Sequence, residues 1–133
     1  MAAPHFLNRL LKDGCAGHRL VNATRQVVIA TNLEGAFDSH TRKKGLLGRS
    51  GLPPESALII APSNAIHMFG MQFPIDVIFA RRDGEVVKCV VALQRRRIAI
   101  AWRAFAAIEL CANHPGVATV RPGDRLIIEQ RES

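Results

Sequence analysis

One stretch, residues 66–79, constrains this chain more than any other part of its sequence. It is dense in apolar side chains, yet it also contains His67 and Asp76. A polar group buried without a partner costs on the order of several kcal/mol, so both side chains need local partners. We therefore expect this stretch to supply part of the core and to hold the strongest candidates for a functional site.

The composition is that of one ordinary globular domain. The chain has 133 residues, of which 48% are hydrophobic and 22% charged, so it can bury a core without disulfide or metal cross-links. Its N-terminal residues lack the continuous apolar segment of a secretory signal, and no apolar run approaches the roughly 20 residues of a membrane span. Cys15, Cys89 and Cys111 are odd in number and lack metal-ligand spacing. We expect reduced thiols and a cytoplasmic protein.

Short β-branched and apolar runs dominate the local pattern. Asp38 and Ser39 precede the main helix that we predict, which runs through Leu47 and ends at Gly48, and a short helix is expected near residues 6–11. Asp83-Gly84 predicts a hairpin turn between two antiparallel strands. The predicted strands are 27–30, 57–61, 75–80, 85–93, 98–102, 104–111 and 126–129, with one helical turn at 117–119.

The predicted fold class is mainly β with minor α. We expect a compact small barrel or a rolled antiparallel or mixed sheet, with one flanking helix. Residues 1–25 are predicted to form a partly ordered N-terminal arm, and residues 26–131 a single β-rich domain.

Residues 41–129 resemble domain-of-unknown-function family 192 of bacteria and archaea. The resemblance is carried mainly by residues 65–79, of which 66–79 read Ile-His-Met-Phe-Gly-Met-Gln-Phe-Pro-Ile-Asp-Val-Ile-Phe, with Met68 where the family has Thr. It is extended by 41–49, 83–86, 108–112 and 122–126. It implies a compact, largely β domain and brings no established activity. Asn113 stands where the family has Gly, and Asn tolerates the left-handed conformation that such a turn needs.

Two interpretations of the embedded acids remain open. Asp76 and Glu109 could each bind turn N–H groups or an arginine, which would be a structural role. Alternatively, His67, Asp76 and Glu109 could share a polar pocket edged by Arg49, where imidazole exchanges a proton or the three groups hold a cation. Nothing in the spacing demands the second arrangement, so we assign no catalytic residue, metal ligand or cofactor.

The aromatic and sulphur-bearing residues of this stretch are equally open. Met68, Phe69, Met71 and Phe73 could pack in the core or line a ligand groove. Phosphate loops, zinc knuckles and dinucleotide fingerprints are absent from the sequence, which gives no motif for an enzyme.

Positive charge is concentrated in one segment. The net charge is +7, and residues 81–103 hold seven basic residues and two acids. This segment is either a solvated loop or a contact surface formed by Arg95, Arg96, Arg97 and Arg103. One Trp, no Tyr and no RNA-binding motif argue against a nucleic-acid reader. The sequence thus favours a non-enzymatic binding or accessory domain that docks a protein or peptide; a small-molecule or hydrolytic site and non-specific nucleic-acid binding are the alternatives.

Overall fold

A five-stranded mixed sheet is the centre of the fold in the computed structural model, which describes residues 5–131. The helices are α1 (Asn8–Asp13) and α2 (Ser39–Lys44), with a 3₁₀ turn at Val117–Thr119. The strands are β1 (His18–Asn22), β2 (Val27–Ala30), β3 (Asn32–Ala36), β4 (Ser56–Ile60), β5 (Ala65–His67), β6 (Ile75–Ala80), β7 (Val86–Leu93), β8 (Ile98–Ile100), β9 (Ala106–Cys111) and β10 (Leu126–Gln130).

The strands form three separate sheets. The central sheet has the order β3-β4-β9-β6-β7, in which only β3 and β4 pair parallel. A three-stranded antiparallel sheet has the order β10-β1-β2, and β5 and β8 form a two-stranded antiparallel ribbon. The mainly β class and the mixed sheet are therefore confirmed. No sheet closes on itself within residues 5–131, so the structure shows no barrel.

The central sheet is covered on both faces, which explains the continuous apolar runs in the sequence. Every residue of β4 and β6 is buried. On one face, Ile59, Ile78 and Ile108 pack against α1 and the three-stranded sheet. On the other face, Ile60 and Val77 pack against the β5–β8 ribbon and the segment that follows α2. Neighbouring residues along a strand therefore enter two different cores.

The predicted N-terminal arm differs from the structure. Residues 5–25 contain α1 and β1, and Leu7, Leu10 and Leu20 are buried in the core beneath the three-stranded sheet. The short helix that we expected near residues 6–11 is present as α1 (Asn8–Asp13). Residues 1–4 lie outside the described part of the chain.

Local signals fixed several elements correctly. The Asp38 carboxylate accepts the Thr41 N–H at 2.8 Å and caps α2, which ends at Lys44 rather than at Leu47. Gly84 turns the chain between β6 and β7 with φ of +92°. A Cβ at Gly84 would lie 2.3 Å from the Leu126 carbonyl oxygen, so only glycine fits this approach of the two backbones.

Candidate functional site

Asp76 is a structural clamp and does not belong to a pocket. Its side chain is fully buried and accepts three backbone N–H groups. The donors are Ala92 and Asn113 to Oδ1, at 2.8 and 3.0 Å, and His114 to Oδ2, at 2.9 Å. Asn113 adopts a φ of +57°, as the replacement of a turn glycine requires. Asp76 therefore fixes the turn after β9 to the irregular end of β7.

The two embedded acids lie on opposite faces of the central sheet. Glu109 pairs with Val77 across β9 and β6, while Asp76 pairs with Leu110. Because paired residues share a face and successive residues alternate, Glu109 faces the ribbon and Asp76 faces the other core. The predicted pocket of His67, Asp76 and Glu109 is thus not formed as a set of three.

Glu109 and His67 do share a cavity. It has a volume of about 140 Å³ and lies between the end of α2, the start of the ribbon and the central sheet. Its lining residues are Arg42, Lys43, Lys44, Gly45, Leu46, Leu47, Ile60, Pro62, Ser63, Ala65, Ile66, His67, Met71 and Glu109. The cavity opens to solvent beside the exposed residues Lys43, Lys44 and His67.

The carboxyl group of Glu109 is the most unusual group in this cavity. Glu109 lies on β9, the middle strand of the central sheet, and is 4% exposed. Its Oε1 atom is buried and has no hydrogen-bond partner among residues 5–131. Burial raises the pKa of Glu109 to about 7, and the positive charge of Arg49 opposes this rise without cancelling it.

Arg49 does not neutralise Glu109, because its guanidinium is bound elsewhere. Two bonds of 2.9 Å join Nη1 and Nη2 to the two carboxylate oxygens of Glu34 on β3. This fork also lowers the pKa of Glu34. Arg49, which we predicted at the edge of the pocket, therefore forms an ion pair with Glu34 next to the site.

The second candidate region is the outer face of the β5–β8 ribbon. His67 pairs with Ile98, and Ala65 pairs with Ile100; all four side chains are exposed, while the alternate residues are buried. The His67 ring also lies 5.7 Å from the ring of Phe69. A strip of apolar side chains thus runs along the ribbon, with His67 between this strip and the cavity.

The predicted basic residues lie at both ends of this strip. The backbone N–H of Arg96 and the carbonyl of Arg97 bond to Met68, which places Arg95 to Arg97 at one end of the ribbon. Arg103 follows Trp102 at the other end. Trp102 is 79% exposed. The structure therefore places exposed apolar residues, among them Ile98, Ile100 and Trp102, between the basic residues that the sequence singled out.

Other titratable groups have structural roles. The buried ring of His114 bonds to the Pro54 carbonyl and the Gly116 N–H. The three cysteines are free, and burial raises the pKa of the Cys89 thiol to about 11.

Between residues 5 and 131, no group of three or more His, Cys, Asp or Glu side chains is suited to a metal ion. In the same part of the chain, no helix has the length and apolar character to cross a membrane.

Sequence reasoning missed the basic wall of the cavity. Lys43 and Lys44 were interpreted only as helix residues, although they precede Gly45, where the chain turns towards the central sheet. A basic run that ends at a glycine was the available signal. Ser63 also lines the cavity, but no sequence pattern predicts this, because its position depends on how the loop before β5 folds.

The fold is that of a class of small, mainly β domains for which solved structures exist. A protein of unknown function from Novosphingobium aromaticivorans aligns with a TM-score of 0.69 and 22% identity, covering 82% of this chain and 81% of that one. A Sinorhizobium meliloti protein described as a "putative transcription regulator" aligns with a TM-score of 0.70 and 24% identity, covering 82% and 89%. These similarities show a shared fold.

The sequence identifies the family. Residues 20–128 match the model of domain-of-unknown-function family 192, described as "Uncharacterized ACR", and the chain belongs to this family. No curated protein sequence matches the chain. The resemblance found from residues 41–129 is thereby confirmed, and the match extends towards the N-terminus as far as Leu20 in β1.

Proposed function

We propose that this protein is a non-enzymatic binding module that docks an acidic, partly apolar protein or peptide segment on the outer face of the β5–β8 ribbon. One observation carries the proposal: exposed apolar side chains and unpaired cations occur together in this region. Cytoplasmic residence is part of the same proposal, because three free cysteines suit a reducing compartment.

Most of the large exposed apolar side chains lie on or beside the β5–β8 ribbon. Seven large apolar side chains are exposed within residues 5–131, and four of them are Phe69, Ile98, Ile100 and Trp102. Single exposed apolar residues are normal on a protein surface, whereas a group of them marks an interaction site. Aromatic residues with an exposed face are also typical anchors of protein interfaces.

The basic side chains near the ribbon have no acidic partners within residues 5–131. Residues 86–108 contain five basic side chains and no acid. The four ion pairs found within residues 5–131 involve Arg19, Arg25, Arg49 and Arg125, so none of them uses a cation of this segment. Such unpaired cations attract an acidic partner. The apolar strip favours a protein, because a phosphate backbone offers no apolar surface to cover it.

Trp102 gives a direct measurement. It is the only tryptophan of the chain and is highly exposed, so its emission should shift to shorter wavelength when a peptide covers the ribbon. The probes are a synthetic peptide of Glu and Leu, a peptide of the same charge made of Glu and Ser, and a short DNA duplex. We expect the Glu-Leu peptide to bind best and to weaken as salt is raised.

Matched variants separate the surface from overall charge. Arg95→Ala with Arg97→Ala should weaken binding of the Glu-Leu peptide roughly 2- to 30-fold, since each exposed ion pair contributes about 0.2 to 1 kcal/mol. The control, Arg9→Ala with Lys12→Ala, removes the same charge from α1 and should leave binding unchanged. Equal losses in both variants, or a stronger affinity for the duplex than for either peptide, would refute docking of an acidic protein.

A further inference from the structure

We propose that the cavity beside Glu109 binds a small molecule with a hydrogen-bond donor at one end, an apolar middle and an anionic group at the other end. The cavity adjoins the docking face at Ala65 and His67, but Glu109, Lys43 and Lys44, on which the proposal depends, lie outside that face. The proposal depends on an unpaired buried atom, on the shape of the cavity and on the charges at its mouth.

One oxygen of the Glu109 carboxyl group is buried and unpaired among the described residues. Buried polar atoms nearly always have hydrogen-bond partners, and an unpaired one is costly. Oε1 of Glu109 is buried without a partner among the described residues, and Arg49, whose positive charge acts on this carboxyl group, is held by Glu34. A ligand that donates an N–H or O–H group to this oxygen would supply the missing bond.

A glycine, Gly45, lies directly in front of this oxygen. Gly45 ends α2 with a φ of +48°, and a Cβ built on it would lie 3.8 Å from Oε1 of Glu109. A side chain at this position would therefore occupy space in front of the carboxyl group. The turn at Gly45 leaves that space to the cavity.

The cavity is small, and buried apolar side chains line its inner part. Ile60, Ile66 and Met71 are buried residues that line its inner part. A volume of about 140 Å³ is close to that of an engineered protein cavity of about 150 Å³ that binds benzene. The cavity therefore suits a ligand of roughly six to ten non-hydrogen atoms whose middle part is apolar.

The mouth of the cavity is positively charged. Arg42, Lys43 and Lys44 are consecutive cations that line the cavity, and none of them forms an ion pair within the described residues. The Arg42 guanidinium bonds to the Phe37 carbonyl, whereas Lys43 and Lys44 are exposed point charges at the rim. An anionic group on the ligand would meet these lysines while its donor meets Glu109.

Four compounds of equal chain length test the proposal. They are 5-aminopentanoate, 5-hydroxypentanoate, pentanoate and pentylamine, each titrated into the isotopically labelled protein while the Gly45 and His67 NMR signals are followed. We expect either two-ended compound to bind about 10-fold or more tightly than pentanoate and pentylamine, because each of these lacks one polar contact. The ranking of the amine and the alcohol identifies the donor.

Two variants locate the contacts. Glu109→Gln should reduce the preference for 5-aminopentanoate over pentanoate about 10-fold or more, because the charged acceptor is lost. Lys43→Ser with Lys44→Ser should abolish the preference for 5-aminopentanoate over pentylamine, whereas Arg9→Ser with Lys12→Ser should not. Both residues of each pair are exposed, so these variants should fold.

Two outcomes would overturn the proposal. One is the absence of any shift at Gly45 and His67 with all four compounds at millimolar concentration, which would leave a cavity that only holds water. The other is binding whose compound ranking is the same in the wild type and in both site variants. Neither outcome bears on the docking face, which is tested with other residues and other probes.

Discussion

Replacing Glu109 by glutamine should stabilise the protein at pH 8 and leave its stability at pH 4 nearly unchanged. In the folded protein the Glu109 carboxyl group loses its proton at a pKa raised from 4.5 to about 7. The cause is burial on the middle strand of the central sheet, where a negative charge is poorly solvated. Glutamine has nearly the same shape and carries no charge at any of these pH values.

The sign follows from proton binding. Between pH 4.5 and about 7 the folded state holds the Glu109 proton more tightly than the unfolded state does. Stability therefore falls as the pH rises through this range, and it is level above it. A difference of about 2.5 pKa units corresponds to roughly 3 kcal/mol. Glu109→Gln removes this loss, so its advantage should grow from near zero at pH 4 to roughly 3 kcal/mol at pH 8.

Urea unfolding followed by far-ultraviolet circular dichroism measures the effect at both pH values. Trp102 is too exposed for its emission to report reliably on loss of the core. The matched control is Glu34→Gln, because Arg49 lowers the pKa of Glu34. That variant should be destabilised at pH 8, and its deficit should fade as the pH falls below 4.5. An advantage of Glu109→Gln that is equal at pH 4 and pH 8 would show that the pKa of Glu109 is not raised, and a loss at pH 8 would show that the carboxylate has a partner.

Three further predictions concern stability. Asp76→Asn should cost about 1 to 3 kcal/mol in urea unfolding, because its amide nitrogen cannot accept one of the three N–H groups; a neutral result would refute the clamp. Arg25 and two further donors lower the pKa of Asp124 to about 2, so Asp124→Asn should destabilise at pH 7, with a deficit that shrinks as the pH falls from 3.8 towards 2. Met68→Ala should cost about 2 to 5 kcal/mol, whereas Phe69→Ser should stay within about 0.5 kcal/mol. The reverse order in thermal unfolding would contradict the burial of Met68 beside the exposed Phe69.

Local patterns predicted the elements whose signals are confined to a few residues. Asp38 as a helix cap, Asp83-Gly84 as a hairpin turn and the buried strands 57–61 and 75–80 all depend on short-range sterics or on continuous apolar runs. The pattern failed where an element draws its stability from distant residues. β3 (Asn32–Ala36) contains Glu34 and Gly35 and is a strand because it pairs with β4.

The same division explains the N-terminal residues. Residues 5–25 looked like an arm because their apolar patches are short and mixed with charges. Leu20 is nevertheless completely buried, since β1 pairs with β10 more than a hundred residues later in the chain. No local signal states that such a partner exists.

By itself, the sequence determined that this protein is a mainly β member of its family, that Asp76 and Glu109 need partners or a pocket, and that positive charge gathers around Arg95 to Arg97. Only the tertiary structure decided that Asp76 is satisfied by three N–H groups while Glu109 is left unpaired in a basic cavity. The physical reason is strand pairing. The register that sets Glu109 against Val77 turns the two acids to opposite faces of one sheet, and register is a property of paired strands rather than of either strand alone.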